Sequence, residues 1–521
     1  MGFGFYDYGA MLAYLSAVVA FGIFFMNRQK DSKEYFLGGQ RLHWLPVAIS
    51  LFASLFSPIS FVSTPGEGYN YGMMLFLKSL FVLLGVPPAV ILFVRFYRRL
   101  SLTTAYEYLE RRFDLRIRLL ASLLFILLRS FYLGVVLFAT AVVLEPTTGM
   151  NVWLSIILMS ALATIYTSFG GIKSVIWIEV MQFFIFVGGI LLVLGILVFR
   201  YGGGIGEIWE YAQQRGHTFE QLASPSFYSL DPFLRVSLFG VLLSSIFTKL
   251  TLAGADQVSI QRYLSTRNES DAARSLIWGT ILGIPVMFLL FLTGLALYWF
   301  YGTYPDWGVE GMTGDQALPH FLAHHLPPGF GGLMTAAILS SAMSTVESGL
   351  NSLSTCTVTD FYSRLVRPNA TESQKLLLAK VFTVFWGLIS MLSAVAIVWL
   401  YGAQNGKNPL VTISEVTLGF FGGILLGVFF LGILSRRATP RGVMIGIIAG
   451  FFAALAVTAP FYFRELPPGQ KPLSFFWINI IGCVATFGTG YAASGMCRHP
   501  DAVKIIGLTY WDRHKSSLRK P

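Results

Sequence analysis

Apolar residues in this chain run in long unbroken blocks, and polar residues collect in the short stretches between them. A helix needs ~20 apolar residues to cross a bilayer. Thirteen blocks meet that length, roughly 7–26, 43–64, 71–95, 117–144, 151–168, 173–199, 233–260, 275–300, 329–362, 378–400, 411–434, 442–463 and 474–495. They are numbered here span zero to span twelve. The pattern predicts an all-α polytopic membrane protein with about 13 transmembrane helices. The stretch "TTAYEYLERRF" (103–113) reads as a short amphipathic helix lying outside the membrane.

Several blocks are interrupted, at corresponding places in two halves of the chain. Span two carries Pro87 and Pro88, and span seven carries Pro285. Span one is broken at "LFSPIS" and span six at the glycine of "LAGADQ". Paired irregularities of this kind point to an inverted-repeat transporter with a binding site near the bilayer midplane. Pro58 lacks an N–H and clashes with the carbonyl of Ser54, so the carbonyls of residues 53–56 lose regular helical partners. A plain proline kink is the competing reading of that segment.

Composition and charge sharpen the picture. The 521 residues are 55% hydrophobic and only 12% charged, where soluble domains carry about 25%. The net charge of +11 does not point to nucleic acid, because the basic residues sit in alternate loops. Loops 27–42, 96–116, 261–274, 363–377 and 435–441 and the tail 496–521 are rich in Lys and Arg, whereas 65–70, 145–150 and 301–328 contain neither. The positive-inside rule places the first set in the cytoplasm, with the N-terminus outside and the C-terminus inside. The first block lacks a basic n-region and reads as a span, not as a signal peptide. Three cysteines, Cys356, Cys483 and Cys497, follow no disulfide or zinc spacing.

Two sets of polar residues inside the spans carry candidate chemistry. In span eight, Ser341, Ser344 or Thr345, Ser348, Ser352, Thr355 and Thr359 recur near helical period and form one hydroxyl stripe. Close helix packing through small residues accounts for many such stripes. A site for a hard monovalent cation accounts for it equally, since neutral hydroxyl and carbonyl oxygens hold such an ion loosely enough to release it. The second set is charged. Lys78, Arg129 and Lys249 fall well inside their spans, where a cation costs at least ~2.5–3.5 kcal/mol. Glu179, Asp256, Glu347 and Glu415 are the available acids, with Glu179 and Asp256 expected toward cytoplasmic ends and Glu347 alone at mid-depth. Three deep cations against one deep acid predict an uncompensated positive site suited to an anionic ligand. Snorkelling and internal ion pairs are the competing readings.

The segments "EYFLGGQRLHWLPVAISLFAS" (34–54), "PGEGYNYG" (65–72), "TAYEYLERRF" (104–113), "IYTSFGGIKSVIWIEVMQ" (165–182), "DQVSIQRYLS" (256–265) and "SSAMSTVESGLNSLSTCTVTDFY" (340–362) resemble, in order, the sodium/solute symporter family of sugar, proline, sialic acid, monocarboxylate, multivitamin and iodide transporters. The resemblance implies the five-plus-five inverted-repeat (LeuT-type) fold with alternating access. It divides the single transport domain into an extra N-terminal helix (7–26), two repeats (43–199 and 233–434), two extra helices (442–495) and a cytoplasmic tail (496–521). It places a sodium site on the backbone carbonyls of Ala53 and Phe56 and on Ser341, Ser344 and Thr345. Where some members hold a second sodium, this chain has Glu179, Glu347 and Ser348. Glu347 has two readings there, a proton carrier or the counter-charge of a lysine. The substrate positions depart from those of the sugar carriers. Arg129 aligns approximately with the arginine that meets the carboxylate in sialic acid members, and Lys249 and Lys78 replace polar sugar contacts. With the span-one hydroxyls Ser57 and Ser60, these form the candidate substrate set.

The expected function is sodium-coupled symport of a small organic anion across a bacterial-type cytoplasmic membrane. Sodium is the expected ion, and the expected partners are the anionic solute and the lipid bilayer. A neutral sugar or amino acid carrier with its lysines paired internally is one alternative. A non-transporting sensor or channel is another, and the short tail leaves no room for the soluble domain a sensor carries. No metal-ligand cluster or nucleophile–base set suggests an enzyme.

Overall fold

The computed structural model describes residues 4–26, 31–327, 329–403, 410–462, 472–497 and 505–512. Residues 27–30 of the first basic loop, and 498–504 and 513–521 of the basic tail, lie outside the described residues. Among the described residues, eight helices are long and apolar enough to cross a membrane, and two bent helix pairs qualify together. Phe5–Met26, Val152–Ser168 and Phe330–Cys356 stand where the three other expected spans fall.

Helix termini follow local side-chain chemistry. Asp114, Asn151, Ser237 and Asn268 each accept a backbone N–H in the first turn of the helix they precede, satisfying donors that a helix start leaves unpaired. Spans four and five run as one path, Val152–Gly195, turned at Gly171, whose φ of 57° and ψ of −177° suit a residue without a side chain.

The helices are sorted inside out. Along Glu372–Ala403, Leu377, Val381, Val384, Phe385, Leu388 and Leu392 face outward, while Ala379, Thr383, Ser390 and Ala394 are buried. Large apolar groups therefore meet lipid and small or hydroxyl groups meet neighbouring helices, the usual arrangement where lipid removes any hydrophobic drive between helices. Phe330–Cys356 is buried on all sides from Met334 onward, so span eight is the central post of the bundle. Backbones approach closely where glycines permit. A side chain at Gly294 of span seven would stand 2.3 Å from the carbonyl oxygen of Pro65, and one at Gly68 would stand 2.8 Å from that of Phe291.

Span one breaks into Trp44–Ala53 and Pro58–Tyr71, bent by 64°, and span six into Leu238–Gly254 and Gln257–Leu264, bent by 58°. Pro58 does not kink a continuing helix. It opens the second half at the first helical position, where its missing N–H costs nothing. Asp256 caps the second half of span six by accepting from Val258 N. That half extends to Leu264 and is buried throughout, so Gln261 and Arg262 belong to the core and not to the basic loop 261–274 that the sequence pattern predicts.

The helix Tyr106–Arg112 packs on protein. Tyr106, Tyr108, Leu109 and Arg112 are buried, with Arg112 donating to the carbonyls of Gly432 and Ser435 at 3.1 and 2.7 Å. The Tyr108 hydroxyl donates to Leu508 O at 2.9 Å, and Arg436 pairs with Asp512, so the segment 505–512 docks on the same face.

Candidate functional site

The break in span one lies against the hydroxyl stripe of span eight. Ser344 Oγ stands 3.1 Å from the carbonyl oxygen of Ala53, and Thr345 Oγ1 stands 3.2 Å from that of Phe56. Both hydroxyls also reach Ser341 O, at 3.0 and 3.3 Å. Ser341, Ser344 and Thr345 are fully buried. The structure thus brings all five sodium-set residues to one point. The donor set is neutral: carbonyls at the break, that of Ala53 also accepting from Phe56 N at 3.2 Å, and hydroxyls on a continuous helix. The Ser341 hydroxyl donates within its own helix to Ile338 O at 2.8 Å, and it would have to turn to contribute. A set of neutral oxygens with rotatable hydroxyls suits a hard monovalent cation.

One turn further along span eight, the charges are arranged otherwise than the sequence suggested. Glu179 is fully buried. It is ion-paired with Arg262 at 2.5 Å and bonded by the hydroxyls of Ser50 and Ser348. Arg262 Nη2 also donates to Ser348 Oγ at 2.5 Å. Arg262, Glu179 and Ser348 therefore bond one another in a closed set. Glu347, two residues from Thr345, is fully buried, and both of its carboxylate oxygens lack a hydrogen-bond partner.

Three cavities of about 290, 190 and 160 Å³ meet beside the span-one break and share Leu55 and Leu252 as walls. They hold the three cations singled out in the sequence. Lys78 and Ser60 line the first, Arg129 and Ser60 the second, and Lys249 the third. Ser57 is buried at the start of the second half-helix.

The predicted surplus of positive charge is mostly cancelled. Arg129 Nη2 donates to Asp256 Oδ2 at 2.6 Å, both side chains being buried. Asp256 is thus a core acid, capping one helix with one oxygen and pairing with Arg129 through the other. Lys78 does not snorkel but is ion-paired with Glu415. Lys249 differs from both. Its Nζ donates to Thr280 Oγ1 at 2.5 Å, and among the described residues it forms no ion pair. Among the described residues, one cation without an ion pair therefore faces the cavities, where the sequence pattern set three deep cations against one deep acid.

Arg262 and Thr280 escaped the sequence reading. The signal for Arg262 was available, since Ile260, Tyr263 and Leu264 around it are too apolar for a solvated loop.

Comparison with known proteins accords with this geometry. The chain is 32% identical over 490 residues to the sodium/sialic acid symporter SiaT of Proteus mirabilis, covering 94% of each. It is 30% identical to the human (Homo sapiens) sodium-coupled monocarboxylate transporter 1, over 92% of this chain and 77% of that one. A solved structure of a sodium-coupled sialic acid symporter, substrate-bound and outward-open, superposes with a TM-score of 0.84 at 30% identity, covering 95% of this chain and 99% of that one. The model of the sodium:solute symporter family matches residues 35–450, and the chain belongs to that family, carrying its five-plus-five fold and coupling solute movement to sodium.

Proposed function

We propose that the protein imports a small carboxylate-bearing solute of the sialic acid type together with sodium, and that Lys249 holds the carboxylate. The observation that carries this reading is the isolation of Lys249. A buried charge without a partner is expensive, and an anionic ligand arriving through the adjoining cavity supplies one. The two relatives named above, a sialic acid and a monocarboxylate carrier, are consistent with an acid as cargo. Arg129 has a supporting part. Asp256 holds its guanidinium at the wall of the second cavity.

Sodium is assigned to Ala53, Phe56, Ser341, Ser344 and Thr345. When the Ser344 and Thr345 hydroxyls turn from the two carbonyls, four oxygens from two spans converge on one point. That convergence ties the broken span to the central post, and so ties the cavity walls at Leu55 to sodium occupancy. Alternating access then follows from movement of the two broken spans against their neighbours. The basic loops support an orientation with the N-terminus outside and the C-terminus in the cytoplasm. Transport, with no catalytic step, is the whole activity assigned.

The neutral-solute reading requires the buried cations to be paired internally, and Arg129 and Lys78 meet that requirement. Lys249 decides between the two. Binding of sialic acid and of its uncharged amide is measured on the purified wild type and on Lys249→Met. The acid should lose affinity in the variant and the amide should hardly change. Equal loss for both ligands would assign Lys249 a structural role and favour the neutral solute.

A further inference from the structure

The connector between spans seven and eight carries the stretch "HFLAHH" (320–325), which gathers three of the seven histidines within six residues. His320 and His324 are four positions apart on the helix Gly314–His324, and that spacing puts both rings on one face. Their ring centroids stand 4.4 Å apart. His324 is exposed and His320 is half-buried, so solvent reaches the pair.

The hydrogen bonds of the two rings decide which nitrogen is free. His324 Nδ1 stands 3.0 Å from the carbonyl oxygen of His320. A carbonyl only accepts, so Nδ1 carries the hydrogen and Nε2 of the neutral ring keeps its lone pair. His320 Nδ1 stands 2.9 Å from the Tyr301 hydroxyl, and that hydroxyl directs its hydrogen to Ala317 O at 3.4 Å. His320 then also donates through Nδ1 and leaves Nε2 bare. Metal-ligating histidines are held in this way, with the other ring N–H given to an oxygen that fixes the tautomer. Two imidazoles one helical turn apart form the bidentate part of helical zinc sites, and His324, being exposed, has room to turn both nitrogens onto one ion.

The donors also select the ion. Imidazole suits zinc, copper and nickel, whereas sodium, magnesium and calcium prefer oxygen. The third histidine is engaged elsewhere, His325 Nε2 standing 3.3 Å from Trp307 O with its ring packed on Phe300 and Trp307. Among the described residues no set of three His, Cys, Asp or Glu is placed to hold a metal. Water must therefore complete the shell, and the ion is a reversible ligand, not part of the fold.

The helix joins this pair to the broken span. A side chain at Gly314 would stand 2.2 Å from the carbonyl oxygen of Gly66, so the helix starts against the second half of span one. Its other end lies at His325, against Phe300 of span seven. We propose that His320 and His324 bind a divalent transition-metal ion of the zinc type, and that the bound ion slows transport by stiffening a connector that follows the span-one half-helix. The claim on transport rests on the reading of the protein as a carrier of a sialic acid-type solute; the claim on binding does not.

Two measurements decide it. The first is titration calorimetry of zinc chloride into purified protein without an affinity tag. The wild type should bind one zinc per chain saturably. His320→Ala and His324→Ala should each weaken binding at least about tenfold, the least that losing even an outer-shell partner costs. His217→Ala, which removes a histidine of another loop, should bind as wild type. No saturable binding, or equal affinity in the wild type and both pair variants, would overturn the site. His324 is exposed, so its variant carries the test alone should His320→Ala fail to fold. The second is uptake of labelled sialic acid into proteoliposomes under an inward sodium gradient, with zinc on both faces. Zinc should lower the initial rate in the wild type, and His324→Ala should lose that effect. Zinc bound without any lowering, or an equal lowering in both proteins, would overturn the claim on transport. If sialic acid is not taken up at all, the substrate reading fails on its own and the calorimetry still decides the site.

Discussion

Lys249 and Arg129 are both buried cations, yet their replacements should fail in different ways. Lys249→Met leaves no acid stranded, because among the described residues Lys249 forms no ion pair and donates to Thr280. Its folding should be intact and its affinity for sialic acid lowered about ten- to a hundredfold, the equivalent of a charge-assisted hydrogen bond of ~1.5–3 kcal/mol. Arg129→Gln abandons Asp256 in the core, and breaking a buried pair costs about 3–5 kcal/mol. Thermal unfolding in detergent should therefore fall sharply for Arg129→Gln and hardly move for Lys249→Met; the reverse order would exchange their roles. Removing one neutral oxygen by Ser344→Ala or Thr345→Ala should raise the sodium concentration for half-maximal uptake roughly two- to tenfold, in line with ~0.5–1.5 kcal/mol per neutral hydrogen-bonding group. An unchanged sodium requirement in both variants would remove the assignment. These oxygens were legible in the sequence because helical period and a proline each leave a local mark. The partners of the cations were not. Arg129 and Asp256 lie 127 positions apart, and Lys78 and Glu415 lie 337 apart, and no spacing rule reaches that far.

The broken helices make the site, and their packing is set by glycines. The second half of span one lies on span seven with Gly68 and Gly294 at the contact. Gly294→Val would push into the Pro65 carbonyl, and overpacking of this kind costs about 1–3 kcal/mol. The variant should unfold at lower temperature and lose sodium-dependent uptake, because the half-helix carrying Ser60 is displaced. Gly188→Ala, where an added methyl meets nothing within 4 Å, is the control and should behave as wild type. Normal stability and uptake in Gly294→Val would show that this contact does not position the half-helix. Both breaks could be read from sequence, since Pro58 and the "LAGADQ" glycine interrupt otherwise apolar runs. The far end of span six could not. Gln261 and Arg262 look like loop residues until Asn351, Thr355 and Glu179 are seen to satisfy them, and those partners come from spans five and eight.

For the molecule as a whole, the proposed orientation rests on loop charge and is open to labelling. A cysteine at Asp306, exposed in the loop free of Lys and Arg, should react with a membrane-impermeant maleimide on intact cells, and one at Arg274 should not. Cys497 is replaced by serine for this purpose, Cys356 and Cys483 being buried. The opposite labelling would invert the topology. The central claim is that sodium binding at the span-one break powers the inward movement of an organic acid. Its most direct test is the uptake of labelled sialic acid into liposomes containing only the purified protein, with an inward sodium gradient or with potassium replacing sodium. Accumulation above the external concentration under the sodium gradient, and none in potassium, is the result predicted. Equal uptake in both, or equilibration without accumulation, would contradict it.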